Sequence, residues 1–246
     1  MLDNKRILAV VPARRGSRGI PHKNMQRVGG MSLIGWAGTA LNQLSFLDAN
    51  VLSTDSTDYA EEGRRHGLDA PFVRPSDLST DTAGSIEVVR HALRASETHY
   101  ATRFEIILII EPTSPLRLPE DIERTARRLI DTGADSVVTV SPLSTKSHPF
   151  KLLCLKRGRL TFAFEEGRQV TQRQQLTGGL FWRNGVCYAL TRACAMGSHG
   201  LLTARTVPEI ITRPIVNIDE PIDLECAEIL LARERSSDLV AMPGVA

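Results

Sequence analysis

The sequence predicts an α/β domain built on a doubly wound, mostly parallel sheet. Three observations carry that prediction. Short apolar runs recur at 7–11, 50–53, 106–110 and 137–140. They have the length and composition of strands buried on both faces. Between them lie stretches whose apolar residues are spaced three and four apart, the pattern of a helix with one inner face. Strand and helix in alternation make βαβ units and a parallel sheet. The 246 residues suffice for one substantial domain with an appendage.

The elements follow in order. Ile7 to Val11 reads as the first strand. Ile34, Ala37, Leu41 and Leu44 mark a helix, with Ser32 suited to cap it. Asn50 to Ser53 is a short strand ending at Thr54-Asp55, and Ser56 or Asp58 suits the cap of a helix running toward Gly67. Ile86, Val89 and Leu93 mark another helix. Ile106 to Ile110 is the most apolar strand and ends at Glu111-Pro112. Pro119 suits a first helical turn, with Ile122, Leu129 and Ile130 inside. Val137 to Val140 is a further strand.

The pattern breaks over 141–183, where charge and glutamine rise. A structureless loop of that length is uncommon in a compact domain, so the segment reads as an insertion. The α/β domain therefore takes 1–140 and 184–235, and 236–246 reads as a frayed tail. The closing helix starts at Pro221, with Ile222, Cys226, Ile229 and Leu230 on one face.

Composition excludes several classes. The chain is 42% apolar and 24% charged, with a net charge of +2. That charge is too small to argue for nucleic acid or a membrane surface. No uncharged apolar stretch is long enough to span a bilayer. The N-terminus enters a strand directly, without a signal peptide, and the cytoplasm is the expected compartment. Cysteines stand at 154, 187, 194 and 226, with no C-x-x-C pair and no H-E-x-x-H among the histidines. Zinc is not expected, and the thiols read as reduced and mostly buried.

The chemistry concentrates after the first strand. Pro12 opens a loop carrying Arg14, Arg15, Gly16, Ser17, Arg18, Gly19, Lys23 and Asn24. Such a loop leaves the sheet at the carboxyl end of a strand, where open α/β sheets bind ligands. Glycines admit a phosphate close to the backbone, and the cations match its charge. The spacing is neither a P-loop nor a dinucleotide fingerprint.

The run Pro12-Ala13-Arg14, Gly16-Ser17-Arg18-Gly19, Pro21, Lys23-Asn24 resembles the opening signature of the CMP-sugar synthetases. These cytidylyltransferases activate sialic acid and related acidic sugars. Arg74-Pro75, Pro112-Thr113-Ser114-Pro115-Leu116-Arg117, Asn184-Gly185 with Tyr188, and Ile218-Asp219 with Asp223-Leu224 follow in the family's order. The resemblance implies a Rossmann-like nucleotidyltransferase domain with a small β-rich dimerisation insertion at 141–183. It implies a homodimer that makes a CMP-activated nonulosonic acid from CTP, with Mg2+ as cofactor. A CMP-Kdo synthetase and a non-catalytic nucleotide-binding protein stand as alternatives.

The resemblance also assigns roles. It places Arg14, Arg18 and Lys23 on the phosphates, Ser17 and Asn24 around the nucleotide, and Arg74 and Ser85 at cytosine and ribose. By residue type alone, the Ser/Thr/Asp-rich stretch around Asp81 reads equally as turns and caps. Glu111, Thr113 and Ser114 end the central strand at the ligand edge, with Arg117 as the cation able to neutralise Glu111. Arg173, Asn184, Tyr188 and, more weakly, Lys151 are the sugar-binding candidates; the run Arg173-Gln174-Gln175-Leu176 resembles the family segment that holds the sugar carboxylate, and Tyr188 reads equally as core. Asn217 and Asp219 share one side of a strand end and offer hard oxygens for magnesium. Asp219 reads equally as a helix cap before Pro221. The family pattern has Gln at Glu111 and Asp at Asn217, so both are departures. No general base stands out.

Overall fold

The structure, a computed structural model, describes residues 1–172, 174, 176 and 179–241, without the side chains of 235–241. The chain begins with β1 (Ile7–Pro12), a ribbon of β2 (Arg27–Val28) and β3 (Met31–Ser32), then α1 (Leu33–Leu41). It continues through β4 (Ala49–Ser53), α2 (Thr57–Arg65), α3 (Ser85–His99), β5 (Ile106–Ile109) and α4 (Pro119–Thr132). After β6 (Ser136–Pro142) come the paired β7 (Leu153–Lys156) and β8 (Arg159–Phe162). The last elements are β9 (Phe181–Thr191), α5 (Arg192–Gly197), β10 (Thr206–Ile210) and α6 (Pro221–Ala241).

Six strands form one sheet in the order β10-β6-β9-β5-β1-β4. All run parallel except β9, which is antiparallel to both β5 and β6. The expected doubly wound, mostly parallel sheet is the fold observed. Alternation along β1 explains why its run is apolar throughout. Ile7, Ala9 and Val11 pack beneath α1, α2 and α4, while Leu8 and Val10 pack beneath α3 and α5. The chain leaves β1 for β4 on one side and β5 on the other, so the crevice between β1 and β5 is a topological switch point.

Local chemistry sets the helix ends. The Ser32 hydroxyl accepts from the Gly35 N–H at 2.9 Å and donates to Glu62 at 2.7 Å, so it caps α1. Pro119 occupies the first turn of α4, and Asp121 accepts from the Leu118 N–H at 2.9 Å. Ser56 precedes α2 without a side-chain capping bond, whereas Asp58 lies in the first turn, where a carboxylate meets the helix dipole favourably.

Between β6 and β9 the chain makes its excursion. Its described part holds single 3-10 turns and the β7–β8 ribbon. The main sheet reaches past the expected limits of this insertion. Ser141 and Pro142 pair with Trp182 and Phe181, and Arg183 pairs with Val140.

Two expectations at the C-terminus are corrected. The closing helix runs to Ala241, past the Ser236 where a tail was expected, and residues 242–246 lie outside the description. Its inner face is Ala227 and Leu231 with part-buried Leu224 and Leu230, while Ile222, Cys226 and Ile229 are exposed. The Glu228 carboxylate accepts from the Gly29 N–H at 2.7 Å and fixes this rotation. The small Ala227 then meets the cluster of Val28, Leu33 and Ile218. Of the thiols, Cys187 and Cys194 are buried, Cys154 is half-buried and Cys226 is exposed; all four are free. Among the described residues, no helix is long and apolar enough to cross a membrane.

Candidate active site

A cleft of about 510 Å³ opens over the carboxyl ends of β1 and β5. One wall is the loop after β1. It is tied down by bonds that need no ligand. The Ala13 N–H donates to Ser53 O at 2.9 Å, the Arg15 N–H to Asp55 at 2.8 Å, and the Asn24 amide to Arg14 O at 3.2 Å. Gly19 lies against the backbone of Asp219, where a Cβ would stand 2.6 Å from the carbonyl oxygen. Only glycine permits that approach.

The loop's cations are already paired. Arg14 Nη1 lies 2.5 Å from Asp81 Oδ1, and Arg18 Nε binds the other Asp81 oxygen. Hydrogen bonds from Arg14 and then Arg18 hold the Asp81 carboxyl below its ordinary range. Lys23 Nζ lies 2.9 Å from Asp219 Oδ1. Arg74 is buried, donating from Nε to Ser53 Oγ at 3.1 Å and from Nη2 to Ser53 O. Burial pulls its guanidinium down to about 10. Ser85 stands at the first turn of α3 and lines the cleft with Arg74, Thr80 and Asp81.

The segment between β10 and α6 supplies the opposite wall. Asn217 and Asp219 both line the cleft, but from a loop rather than the expected strand end, since residues 211–220 belong to no strand. The capping alternative for Asp219 is resolved by a neighbour. Asp223 accepts from the N–H groups of Asp219 and Glu220 at 2.9 and 2.8 Å, so the Asp219 carboxylate is left for the cleft. Thr113 lines the cleft, and its carbonyl accepts from the Ile218 N–H at 2.8 Å.

Glu111 also faces the cleft, and among the described residues its carboxylate has neither an ion pair nor a hydrogen bond. Burial pushes its carboxyl above the ordinary range, against weaker opposing pulls from Arg117, Arg183 and Lys23. The pairing with Arg117 does not form. Arg117 is buried and spends its guanidinium on the main-chain oxygens of Val186 at 3.2 Å and of Glu111 and Gly185. Glu111 instead crowds Gly185. A Cβ there would stand 2.4 Å from Glu111 Oε2 and 2.9 Å from Ser114 Oγ, and the backbone has φ +71°. Gly185 sits in the irregular stretch where the β6–β9 register shifts between Val138 and Val140.

Other candidates fall elsewhere. Asn184 is fully buried, donating to Ser141 Oγ at 3.0 Å and accepting from the Val186 N–H at 3.2 Å, so its amide supports the irregular strand rather than lining the cleft. Ser114 is buried behind the cleft, bonded to Asn184 O. Tyr188 packs with Ile109 and Val138 and also lines the cleft, and burial raises its phenol. Ser17 and Arg18 sit on the loop outside the cleft lining, and Lys151 is exposed on the insertion away from it. Arg173 lies outside the described residues. Two charged lining residues were not singled out by sequence as ligand contacts: Asp81, masked by a turn-like composition, and Arg183, which no motif marks.

A family model described as cytidylyltransferase matches residues 8–157. CMP-N,N'-diacetyllegionaminic acid synthase of Legionella pneumophila is 40% identical over 141 residues, covering 57% of this chain and 60% of that protein. The chain therefore spans less than two thirds of that relative's length. Pseudaminic acid cytidylyltransferase of Campylobacter jejuni is 27% identical over 226 residues, covering 91% of this chain and 95% of that one. Among solved structures, a CMP:2-keto-3-deoxy-manno-octonic acid synthetase complexed with CTP superposes with a TM-score of 0.66 at 16% identity. It covers 93% of this chain and 99% of that chain, and the likeness is one of fold.

Proposed function

This chain belongs to the cytidylyltransferase family, and from that premise we propose that it makes a CMP-activated nonulosonic acid. CTP and a free acidic sugar of sialic, legionaminic or pseudaminic type are the substrates, and pyrophosphate is the second product. One observation carries the reading most. The cation-bearing loop after β1 and the Asn217–Asp219 loop before α6 meet at one cleft mouth, joined by the Lys23–Asp219 pair. The names of the relatives above support the sugar class.

In this reading the site is charged and waiting. Asp81 and Asp219 hold Arg14, Arg18 and Lys23 in place, and triphosphate oxygens replace those carboxylates on binding. Ser17 and Asn24 border the nucleotide, and Arg74 and Ser85 take its base and ribose. A sugar hydroxyl oxygen then bonds to the α-phosphorus as the bond to pyrophosphate breaks. The fixed cations stabilise charge that gathers on the leaving group.

Among the described residues, no group of three or more His, Cys, Asp or Glu side chains forms a metal cage. Magnesium does not require one, since it is commonly held by one or two protein oxygens with phosphates and waters. The Asp219 carboxylate and the Asn217 amide oxygen fit that role, and magnesium there would supply further charge neutralisation.

The insertion serves self-association. Leu153 pairs with Phe162 and Leu155 with Leu160, so one face of the β7–β8 ribbon is apolar, and both Leu155 and Leu160 are about 70% exposed (73% and 68%). A second copy of the chain covers it in the homodimer we propose.

The test is direct. The protein is incubated with CTP, magnesium and each of the three acids, and pyrophosphate release is measured. Release that depends on both substrates is expected. No release with any of the acids overturns the reading.

A further inference from the structure

Among the described residues, four cations line the cleft: Arg14, Lys23, Arg74 and Arg183. Three are committed. Arg14 is held by Asp81, Lys23 by Asp219, and Arg74 by the hydroxyl and carbonyl of Ser53. Arg183 alone among them has neither an ion pair nor a hydrogen bond to any described residue, and its side chain is exposed.

Its position is set by β9. Arg183 pairs with Val140, immediately before the register shift that carries Asn184 and Gly185. Beyond Ile109, β5 no longer pairs with β9, since Ile110 turns its N–H to Val10 of β1. The two strands part there, and Glu111 faces the space beside Gly185. Arg183 is close enough to pull both the Glu111 carboxyl and the Tyr188 phenol toward their ionised forms.

We infer that Arg183 binds the carboxylate of the acidic sugar and is a determinant of sugar specificity. The inference rests on the proposed function and adds a residue to it. Two arguments carry it. The first is placement. β9 and β1 lie on opposite sides of β5, so their axes are about 10 Å apart at the usual strand spacing. The triphosphate cations belong to the loop after β1, and Arg183 belongs to β9. The site thus presents two separate cationic subsites, as a reaction between two anions requires. The second is the neighbourhood. Glu111 is part-buried, lines the same cleft and has no ion pair among the described residues, so a second carboxyl group brought beside it is favoured by a cation there. Among the described residues, Arg183 is the lining cation held by no ion pair or hydrogen bond. A guanidinium grips a carboxylate through two parallel hydrogen bonds, which an ammonium does not reproduce.

The experiment compares wild type, Arg183→Lys and Arg183→Ala by steady-state kinetics with CTP and each of the three acids, and by calorimetric titration of each acid. Melting temperatures verify folding, and the exposed side chain predicts no loss. Loss of a charge-assisted contact predicts a KM for the acid raised about tenfold to a hundredfold in Arg183→Ala. Arg183→Lys should fall between, and the KM for CTP should stay within about twofold of wild type. The methyl ester of the preferred acid should lose most of its affinity for wild type and little for Arg183→Ala. An unchanged KM for the acid overturns the inference. So does a KM for CTP that rises as much as that for the acid, which would make Arg183 a phosphate ligand. If the wild type neither binds nor turns over any of the acids, the proposed function itself has failed, a result distinct from an Arg183→Ala that behaves like a working wild type.

Discussion

Charge placement at single residues decides what the cleft is ready to bind. Lys23 meets Asp219 at 2.9 Å with its side chain largely enclosed. If Lys23 binds triphosphate as proposed, replacing it with alanine removes a charge-assisted contact worth about 1.5–3 kcal/mol. CTP affinity, read by titration, should fall roughly tenfold or more, and a change under about twofold would refute the role. Glu111 makes two predictions. Its carboxyl is raised by burial, so the folded state favours the protonated form. Below the unfolded carboxyl range this imposes nothing. As pH rises through the raised native value, a buried charge must form and stability is lost. Glu111→Gln should therefore melt at higher temperature than wild type at neutral pH, with the gain shrinking toward about pH 4. Equal melting temperatures across that range would show the carboxylate to be better solvated than its surroundings indicate. The same carboxylate accepts N–H and O–H donors, which a diacylamino sugar offers. Wild type should prefer legionaminic- or pseudaminic-type acids over N-acetylneuraminic acid by kcat/KM, and the variant should shift toward the latter. A wild type that already favours N-acetylneuraminic acid would end that argument.

At the scale of elements, α6 shows how a cap frees a functional group. Asp223 accepts from the N–H groups of Asp219 and Glu220. Asp223→Ala should cost about 1 kcal/mol of stability. It should also lower turnover, because the Asp219 backbone loses its anchor while Lys23 still competes for the side chain. Chemical denaturation and pyrophosphate release report the two effects separately, and a variant that loses stability without losing turnover would assign Asp223 to the helix alone. The same helix marks a limit of pattern reading. The apolar spacing marked one face of it, Ile222, Cys226, Ile229 and Leu230. The face that packs inward depended instead on a carboxylate, Glu228, meeting the backbone of a distant ribbon at Gly29, and no local rule contains that contact.

Across the whole molecule, the ribbon face of Leu153, Leu155 and Leu160 is an exposed apolar feature of the insertion. An isolated two-stranded ribbon is marginal in water, so a covering surface suits it. Leu155→Glu with Leu160→Glu should convert a dimer to a monomer in sedimentation, and a wild type that sediments as a monomer would refute the assembly. What the amino-acid sequence determined by itself is local. Both-face apolar runs, helical spacing, Ser32 and Pro119 at helix starts, and a cationic glycine loop after a strand all express interactions within a few residues, and they sufficed for a doubly wound sheet with a ligand edge. The i, i+2 spacing likewise put Asn217 and Asp219 on one side, though they sit in a loop rather than the expected strand. What only the tertiary structure decided is which partner each charge meets. Asp81 reaches Arg14 and Arg18, Arg117 takes main-chain oxygens instead of the Glu111 carboxylate, and an irregular stretch at Gly185 accompanies Arg183 into the cleft. Apart from the Arg117–Glu111 contact, six positions apart, those outcomes join residues more than sixty positions apart or turn on a single shift of register, and periodicity along the chain holds no record of either.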